Sequence, residues 1–579
     1  MSQKQWIAQR ICTQLQVSEN DVLQILEYPP KRELGDVAIP CFRFAKTLRK
    51  PPQAIAAEVA ETLRTTNLFH SVSVAGAYVN VHYRRLEVAK EVLPAALEPE
   101  SLFSRNRYEN EVAAVDFSSP NIAKPFGVGH LRSTMIGQAV IRLLRADGFT
   151  VHGVNHLGDW GTQFGKNIAA YKHWGDEVEV RENLVRQLFQ LYVRFHEEAQ
   201  KDPSLDTEAR QWFKKLEDGD PEATALWKWF IDESLQAFKK TYKLLDVEFD
   251  LYLGESFYND KMDAVVAELR EKNLLVESEG AEVVDLSAFD MPPCIIRKSD
   301  GATIYATRDL AAALYRHDQL GANHLIYVVG AEQTLHFAQV FKVLELMGRD
   351  WAHNARHVAF GMMKYNGERM STRRGKIVYL EDVLQRAITE AQRIVEEKNP
   401  NLEDKASVAQ QVGVGAVIFN DLKTYRMHDV DFRFEDVLNF DGETGPYVQY
   451  THARACSVLR KARGTGAVEA TMETPMEGTL PPLELTGDEV SLADSEWAIV
   501  HHLTQANEVF ERAVDDLDPS VIARYVLDLC HLFNRFYHDL PILAAEEPQR
   551  SLRLHLTQAS RQVIAYSLFL LGLPAPERM

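Results

Sequence analysis

The sequence predicts a multidomain α/β protein, with a parallel sheet between a small α+β domain and an all-α tail. Residues 112–115 and 151–154 are short apolar runs, and the stretch between them has helical spacing that stops at Gly148. This order of strand, helix and strand is the first unit of a parallel sheet. The pattern resumes at residues 324–330, the run HVAFGMM from His357 predicts a further strand, and strand signals become rare after residue 396.

The chain has 579 residues, of which 46% are apolar, and a chain of this size is typical of about three or four domains. We expect a leading domain over residues 1–108 and an α/β domain over residues 109–395. Long charged helical segments interrupt the α/β domain from about 170 to 290, which is too much chain for one connection between a strand and a helix. We therefore expect an insertion there, followed by a helical domain over residues 396–579.

Charge, cysteines and hydropathy exclude several classes of protein. The net charge of −19 opposes non-specific binding of polyanions. Basic clusters within 31–50, 364–376 and 454–463 nevertheless allow binding of one specific RNA whose shape fits them. Five cysteines lie far apart without zinc-ligand spacing, so no metal site is expected. The apolar stretch 563–573 is too short to span a bilayer, and the first residues lack a signal-peptide core. We expect a cytoplasmic protein without a membrane partner.

A polar loop with the sequence SPNIAKPFGVGH joins the first predicted strand to its helix. Such loops lie at the carboxyl ends of parallel strands, where open α/β sheets bind ligands. Free N–H groups at the helix start favour phosphate, and the small residues Gly127 and Gly129 let a nucleotide approach the main chain. The dinucleotide fingerprint G-x-G-x-x-G is absent because Arg132 occupies its third glycine position, and the chain has no G-x-x-x-x-G-K-S/T phosphate loop.

The string SPNIAKPFGVGHLRST, with NHLGDWGTQFG behind it, resembles the arginyl-tRNA synthetase family, and GVGH resembles the HIGH signature of class I aminoacyl-tRNA synthetases. The resemblance implies a Rossmann-type class I catalytic domain with a helical insertion, a small α+β N-terminal domain that recognises the tRNA D-loop, and an all-α C-terminal anticodon-binding domain. It also implies ATP-dependent activation of L-arginine to arginyl-adenylate, transfer to the 3′ end of tRNA(Arg), and release of AMP and pyrophosphate. ATP is then a substrate accompanied by Mg²⁺. The enzyme is expected to be a monomer whose activation step requires bound tRNA.

Activation of an amino acid needs positive charge where the phosphates of ATP become more negative. One loop of the sequence that offers such groups contains Lys124, Gly127, Gly129 and His130. The other is GERMSTRRGK, over residues 367–376, which resembles the KMSKS loop of class I synthetases.

Both loops depart from the general pattern. Gly127 replaces the first histidine of HIGH, and Thr372 replaces the second lysine of KMSKS. In the arginyl family, a lysine upstream of HIGH is thought to supply the missing charge, and Lys124 matches that lysine. The resemblance assigns catalysis to Lys124, His130, Arg369, Arg373 and Lys376, and ATP binding to Gly127, Gly129, His130, His156, Met370 and Ser371.

The side chain of the substrate can be argued from its chemistry. A guanidinium is planar, always charged and rich in donors, so its pocket should contain carboxylates and acceptors. Asp116 follows the first predicted strand, and Asp309 lies four residues after Tyr305, so that a ring and a carboxylate share one face of a helical turn. Two carboxylates would reject uncharged citrulline, and lysine would lack the planar fork. The resemblance assigns arginine binding to Asp116, Asn121, Tyr305, Asp309 and Gln333.

Single-stranded RNA is read by stacking bases on aromatic rings and bonding their edges. Residues 71–83 alternate with period two, broken at Gly76, which puts Tyr78 and Asn80 on one strand face. In the tail, the stretch GPYVQYTHAR puts two tyrosines and an arginine within about two helical turns. The resemblance to a D-loop-recognition domain and an anticodon-binding domain assigns tRNA binding to Tyr78, Asn80, Tyr447, Tyr450, Arg454 and Met579.

The residues themselves leave three alternatives open. A class I synthetase for cysteine or lysine would share both loops, but the scattered cysteines disfavour the first, and the Asp116 and Asp309 pair favours a cation. A small-molecule nucleotidyltransferase would have no use for an aromatic helical tail. A non-catalytic RNA-binding relative is the third alternative, and Gly127 and Thr372 are the residues that favour it.

Overall fold

The computed structural model describes residues 3–66, 69–176, 184–299, 304–369, 378–439, 442–464 and 491–579. The chain divides into two compact units. The first combines Met1–Phe103, Thr451–Val509 and Tyr525–Tyr566, and the second combines Ser104–Tyr450, Phe510–Arg524 and Ser567–Met579. Within the described ranges, no helix has both the length and the apolar character needed to cross a bilayer.

The first unit begins with helices around a small antiparallel sheet. Strands β1 Val37–Pro40 and β2 Phe69–Ala75 flank the central strand β3 Tyr78–Tyr83. The break between β2 and β3 contains Gly76, whose φ is 63°, as the sequence pattern predicts. The helices of this segment are α1 Gln3–Leu15, α2 Glu19–Leu23, α3 Ala45–Leu48, α4 Pro52–Arg64, α5 Arg85–Ala96 and α6 Pro99–Phe103.

The second unit is built on a five-stranded parallel sheet. Its strands are β4 Val112–Asp116, β5 Thr150–Asn155, β6 Leu251–Tyr252, β10 His324–Tyr327 and β11 Arg356–His357, and their spatial order is β11-β10-β4-β5-β6. All neighbouring pairs are parallel. From β4 the chain adds β5 and β6 on one side and later returns to add β10 on the other. The strand order therefore reverses between β4 and β10, which opens a crevice at their carboxyl ends.

The helix after β4 confirms the predicted strand, helix and strand unit. This helix, α7 Gly129–Ala146, buries its apolar face and ends before Gly148, as predicted. Gly148 has a φ of 99°, and a Cβ there would lie 3.1 Å from the nitrogen of Glu109, so the position requires glycine. Asp147, between the helix and this turn, is fully buried and binds Arg107 at 2.8 Å.

Helices fill most of the predicted insertion, as expected, and short strands that the sequence analysis did not identify lie in and after its last part. Leu251–Tyr252 joins the main sheet as β6, and β7 Leu275–Ser278, β8 Ala281–Val284 and β9 Cys294–Arg297 form a separate antiparallel sheet. β6 is too short for an alternation of apolar and polar residues to be recognised in the sequence, and it forms a strand by pairing with β5. The helices of this part are α8 Thr162–Trp174, α9 Leu184–Ala199, α10 Ser204–Glu217, α11 Pro221–Leu245 and α12 Met262–Glu271.

The apolar run from His357, predicted as one strand, divides at Gly361. A Cβ on Gly361 would lie 2.7 Å from the carbonyl of His428, so close backbone contact replaces strand pairing there. The residues beyond it belong to another small sheet, which consists of β12 Met363–Tyr365, β13 Glu368–Arg369 and β14 Val430–Phe432 in the order β13-β12-β14.

Helices dominate the tail, which confirms the predicted all-α character of this region. Among the described residues after 396, β14 is the strand that interrupts it. The helices of the second half and tail are α13 Tyr305–Leu320, α14 Thr334–Leu346, α15 Leu380–Lys398, α16 Lys405–Leu422, α17 Phe434–Val437, α18 Gly445–Gly464, α19 Asp494–Leu503, α20 Ala506–Asp515, α21 Ser520–Asp539 and α22 Gln549–Leu571.

Candidate active site

The predicted site lies in the second unit, where the strand order reverses. β4 ends at Asp116, which is in register with Tyr327 of β10 on one side and with Val154 of β5 on the other. The carboxyl ends of parallel strands meet at one edge of the sheet, so residues that end or follow these strands are brought to the same crevice. Asp116, His156, Glu255 and Gln333 are among the polar residues in such positions.

Asp116 is bound by an arginine of the chain itself. Its Oδ2 lies 2.7 Å from Nη2 of Arg316, and its Oδ1 accepts a hydrogen bond of 2.9 Å from Ser119 Oγ. The exposed fractions of the Arg316 and Asp116 side chains are 1% and 7%. Burial alone would lower the pKa of Arg316, but the charge of Asp116 raises it above its usual value. This carboxylate is thus already paired with a positive charge of the chain itself, and its assignment to arginine binding stays a prediction.

Asp309 has a different environment, in the first turns of α13. Tyr305 begins this helix and is 68% exposed, and Asp309 lies one turn later on the same face, as the spacing predicts. The Oδ2 of Asp309 is 2.5 Å from Nε2 of His336 on α14, and the side chain keeps 21% of its surface exposed. A partly exposed carboxylate near an exposed ring can bind a planar cation.

Glu255 is an acidic residue of the crevice that the sequence analysis did not single out. It begins a single helical turn three residues after β6, and its carboxylate is 3.6 Å from Arg308. Burial raises the pKa of Glu255 to about 7, against the opposing charge of Arg308. The charges of Asp159 and Asp309 raise this pKa further. The two-residue length of β6 hides the fact that Glu255 follows a strand of the main sheet.

His156, which the sequence analysis assigns to ATP, lies among these acidic groups. It follows β5, and its ring centroid is 5.5 Å from that of Tyr258. Burial lowers the pKa of His156, whereas the charges of Asp116 and Asp309 oppose this shift. Its Nδ1 is buried with no hydrogen-bond partner among the described residues, and a buried polar atom normally has one. The position of His156 is therefore compatible with contact to either substrate.

Asn121 is held by pairing between the two loops that the sequence analysis identified. Ile122 N donates to the carbonyl of Gly158, and Gly158 N donates to the carbonyl of Pro120, each at 3.1 Å. The Asn121 side chain lies so close to Gly158 that a Cβ there would be 2.5 Å from Asn121 Oδ1. Gly158 is thus needed for the loops to meet, and the meeting fixes Asn121 beside the crevice.

The GVGH loop places one imidazole at the start of α7. Gly127 N donates to Nδ1 of His130 at 3.2 Å, and the ring of Phe126 stacks on His130 with centroids 5.2 Å apart. Burial lowers the pKa of His130, the hydrogen bond from Gly127 opposes this, and the charge of Lys124 adds to it. The imidazole is therefore neutral at neutral pH. Because Nδ1 accepts, Nε2 carries the proton and can donate to an anion.

Lys124 links the histidine loop and the acidic crevice electrostatically. It is half-buried, its Nζ is 5.9 Å from the ring centroid of Tyr192, and its charge acts on both His130 and Glu255. Gln333, by contrast, is exposed in the single turn between β10 and α14.

The second predicted loop is described only at its borders. Val128 N donates to the carbonyl of Val378, and Leu380 N donates to the carbonyl of Phe126, each at 3.0 Å, so the GVGH loop is paired with the segment after the KMSKS-like motif. Met370, Ser371, Arg373 and Lys376 lie outside the described residues, as does the side chain of Arg369. In the described part of the chain, no group of three or more His, Cys, Asp or Glu residues is arranged to hold a metal ion.

The predicted RNA-binding residues of the first unit differ in their access to solvent. Tyr78 is half-buried and packs edge-on against the exposed Phe42, with ring centroids 5.6 Å apart. Asn80, two residues along the same strand, is only 7% exposed. Arg454 is half-buried and lies over the exposed ring of Tyr537, 5.2 Å from its centroid.

The remaining predicted RNA-binding residues lie in the second unit. Tyr447 and Tyr450 are half-buried on α18, and Nζ of Lys398 is 5.9 Å from the ring centroid of Tyr450. Met579 packs against the apolar contact between α15 and α16, and Asn399 Nδ2 donates to its carbonyl at 3.2 Å. The chain end is thus bound to these helices near Lys398.

Family models and relatives match the chain from end to end. Residues 92–434 match the model described as tRNA synthetases class I (R), catalytic domain. Residues 4–83 match the arginyl tRNA synthetase N terminal domain, and residues 448–579 match the DALR anticodon binding domain.

Individual relatives agree with these models. An arginine–tRNA ligase of Alkaliphilus metalliredigens is 47% identical over 578 residues, covering 100% of this chain and 99% of its own. One from an Exiguobacterium species is 50% identical over 560 residues, with 96% of each chain covered. The solved arginyl-tRNA synthetase of Thermus thermophilus has 29% identity and a TM-score of 0.82, covering 100% of this chain and 99% of its own. The chain therefore belongs to the arginyl-tRNA synthetases, the class I enzymes that join arginine to its tRNA.

Proposed function

We propose that this protein forms arginyl-adenylate from ATP and L-arginine in the crevice between β4 and β10, and transfers the arginyl group to the 3′ end of tRNA(Arg). The observation that carries the assignment of the site is the acidic group formed by Glu255 and Asp309, which Lys124 connects electrostatically to the anion-binding start of α7. A cationic side chain and a triphosphate thus have complementary surfaces next to each other.

Three residues bind the guanidinium in this proposal. Asp309 and Glu255 accept hydrogen bonds from it, and the ring of Tyr305 covers its face. Asp116 acts indirectly, because its bond to Arg316 fixes the end of β4 against α13, the helix that carries Tyr305. Asn121 and Gln333 remain candidates for the α-amino and α-carboxylate groups.

The phosphates of ATP lie against the start of α7. The main-chain N–H of Gly129, the Nε2–H of His130 and the ammonium of Lys124 are donors that the described residues offer to them. A carboxylate oxygen of arginine attacks the α-phosphorus, the bond to the bridging oxygen breaks, and pyrophosphate leaves with the electron pair. Lys124 stabilises the charge that grows on the phosphates. A terminal ribose hydroxyl of tRNA then attacks the arginyl carbonyl, and AMP leaves.

The other assigned residues keep their predicted roles in this proposal. Mg²⁺ enters with ATP and is ligated by phosphate oxygens and water. The KMSKS-like residues Arg369, Met370, Ser371, Arg373 and Lys376 contact the same phosphates, while His156 and Gly127 line the nucleotide side. Contacts to tRNA come from Tyr78, Asn80, Tyr447, Tyr450, Arg454 and Met579. The division into domains over 1–108, 109–395 and 396–579, the monomeric state and the cytoplasmic location also stay predictions; light scattering on the purified protein measures the oligomeric state.

Aminoacylation of tRNA by the purified protein, run with each of the twenty amino acids and with citrulline, tests the proposal. Arginine alone should be charged, and pyrophosphate exchange with arginine should stay near zero until tRNA(Arg) is added. Substitution Lys124→Met should lower kcat by about a hundredfold, the loss typical of one group that stabilises transition-state charge. Lys166→Met is the matched control, because Lys166 binds Asp206 on a neighbouring helix. Charging of another amino acid, or no charging at all, contradicts the proposal.

A further inference from the structure

Three consecutive polar side chains at the start of α7 each bind a different part of the active-site edge. Thr134 Oγ1 donates to Ser118 Oγ at 2.8 Å, in the loop after β4. Ser133 Oγ donates to the carbonyl of Val328 at 2.7 Å, just after β10. Arg132 extends in a further direction, toward the chain beyond β11. Successive residues of a helix point about 100° apart, so one helical turn holds several strand ends at once.

Arg132 is almost completely buried, and its guanidinium is divided among three partners. Nη1 donates to the carbonyls of Gly361 and His428, at 2.9 Å and 2.7 Å. Nε lies 2.8 Å from Oδ1 of Asp421 on α16, and the exposed fractions of the two side chains are 1% and 0%. The planar fork of arginine can reach such separate acceptors, which a lysine ammonium cannot do from one position.

The two carbonyls lie at the base of the small sheet that leads to the second phosphate loop. Gly361 precedes β12, and His428 precedes β14, which is parallel to β12. Val430 N donates to the carbonyl of Met362 at 3.0 Å, and Gly367 N donates to Asp431 Oδ1 at 2.7 Å. β12 pairs with β13, and β13 ends at residue 369, which is the first of the KMSKS-like residues in the sequence.

We propose that Arg132 is a positioning residue for ATP: it fixes the first turn of α7, which carries His130, to the base of the β12–β13 hairpin. It touches neither substrate in this scheme. The inference rests on the proposed ATP site at the start of α7. Asp421 has the subsidiary role of neutralising a charge that would otherwise be buried alone.

The double substitution Arg132→Met with Asp421→Leu tests this role, because removing both members of a buried ion pair spares the fold better than removing one. We expect KM for ATP to rise by about tenfold or more, because a small displacement of the groups that position a substrate has an effect of this size. KM for arginine should stay within about twofold of the wild-type value. Arg132→Lys, which keeps the charge but loses the fork, should give an intermediate KM for ATP even if the double variant fails to fold.

The matched control is Arg553→Met with Glu496→Leu. Arg553 is also buried, binds Glu496 at 2.7 Å and donates to the carbonyl of Pro541 at 2.7 Å, but it lies in the first unit. This control should leave KM for ATP unchanged. A wild-type KM for ATP in folded Arg132 variants, or a parallel rise of both KM values, would overturn the inference. Loss of charging by the wild-type protein would instead refute the proposed function.

Discussion

Asp116 and Asp309 were predicted to share one task, yet the structure gives them opposite environments. Asp116 and Arg316 form a closed pair, almost fully buried, with 2.7 Å between charged atoms. Asp309 and His336 form an open pair, with 21% and 24% of their side-chain surfaces exposed. Both aspartates lie at the same crevice, and their charges act on the same imidazole of His156.

The difference shows that one residue type has two environments at the same edge of the sheet. A buried carboxylate that already has a charged partner has no free negative charge for a substrate. Its loss, however, leaves the partner's charge buried without an opposite charge. A partly exposed carboxylate costs less to keep charged and can exchange its present contact for a ligand. Substitutions at the closed pair should therefore change stability, and those at the open pair should change arginine binding.

The largest effect is expected from Asp116→Asn. This change leaves Arg316 buried without an opposite charge and should lower the free energy of unfolding by about 3–5 kcal/mol. The measurement is denaturant unfolding of the variant beside the wild type. The double variant Asp116→Asn with Arg316→Met should recover much of the loss. A wild-type unfolding midpoint for the single variant would contradict the closed-pair description.

Asp309→Asn should leave stability nearly unchanged and weaken arginine recognition. Loss of a charged hydrogen bond to the guanidinium should weaken transition-state binding by about 2–4 kcal/mol, which lowers kcat/KM for arginine by about thirty- to a thousandfold. Steady-state aminoacylation at varied arginine measures this. Asp318→Asn is the matched control, because Asp318 lies on the same helix in an exposed contact with His317. Equal losses in the two variants would remove Asp309 from the pocket.

Glu255 should make arginine binding depend on pH. Its pKa of about 7 is raised above the ordinary 4.5, so in the ligand-free protein this group stabilises the fold at acid pH, and that contribution is lost as pH rises through 7. A bound cation favours the charged form. Arginine should therefore raise Tm more at pH 8 than at pH 6, and KM for arginine should rise by up to about tenfold for each pH unit below pH 7.

The variant Glu255→Gln tests whether the pH dependence comes from Glu255 or from the histidines of the site. Burial lowers the pKa of His130 and of His156 from the ordinary 6.5, so both titrate at lower pH than Glu255. The variant should show a weaker arginine affinity at pH 8 and a flat profile between pH 6 and 8. An unchanged slope in Glu255→Gln would assign the titration to another residue.

The smallest effect is expected at His336, the partner in the open pair. His336→Gln removes the contact to Asp309 without unpairing a buried charge, and should raise KM for arginine by about fivefold, equivalent to about 1 kcal/mol. His317→Gln provides the comparison, since His317 contacts the exposed Asp318. If both variants have the same KM for arginine, the contact between α13 and α14 does not orient Asp309.

Local patterns were sufficient for some parts of the site. The β4–α7–β5 unit was predicted because periodicity and the stop at Gly148 are properties of neighbouring residues. The shared face of Tyr305 and Asp309 follows from helical spacing in the same way. Glu255 was missed because a two-residue strand carries no alternation, and the strand after His357 was predicted too long because the contact at Gly361 involves residues far along the chain.

The sequence by itself determined the family, the first strand, helix and strand unit and the helical character of the tail, because these depend on residue types at short spacing. Only the tertiary structure decided which carboxylate is buried in an ion pair and which stays partly exposed. Arg316 lies 200 residues from Asp116, and Arg132 lies 229 residues from Gly361. Burial and pairing depend on such distant contacts, and they determine whether a carboxylate supports the fold or faces a substrate.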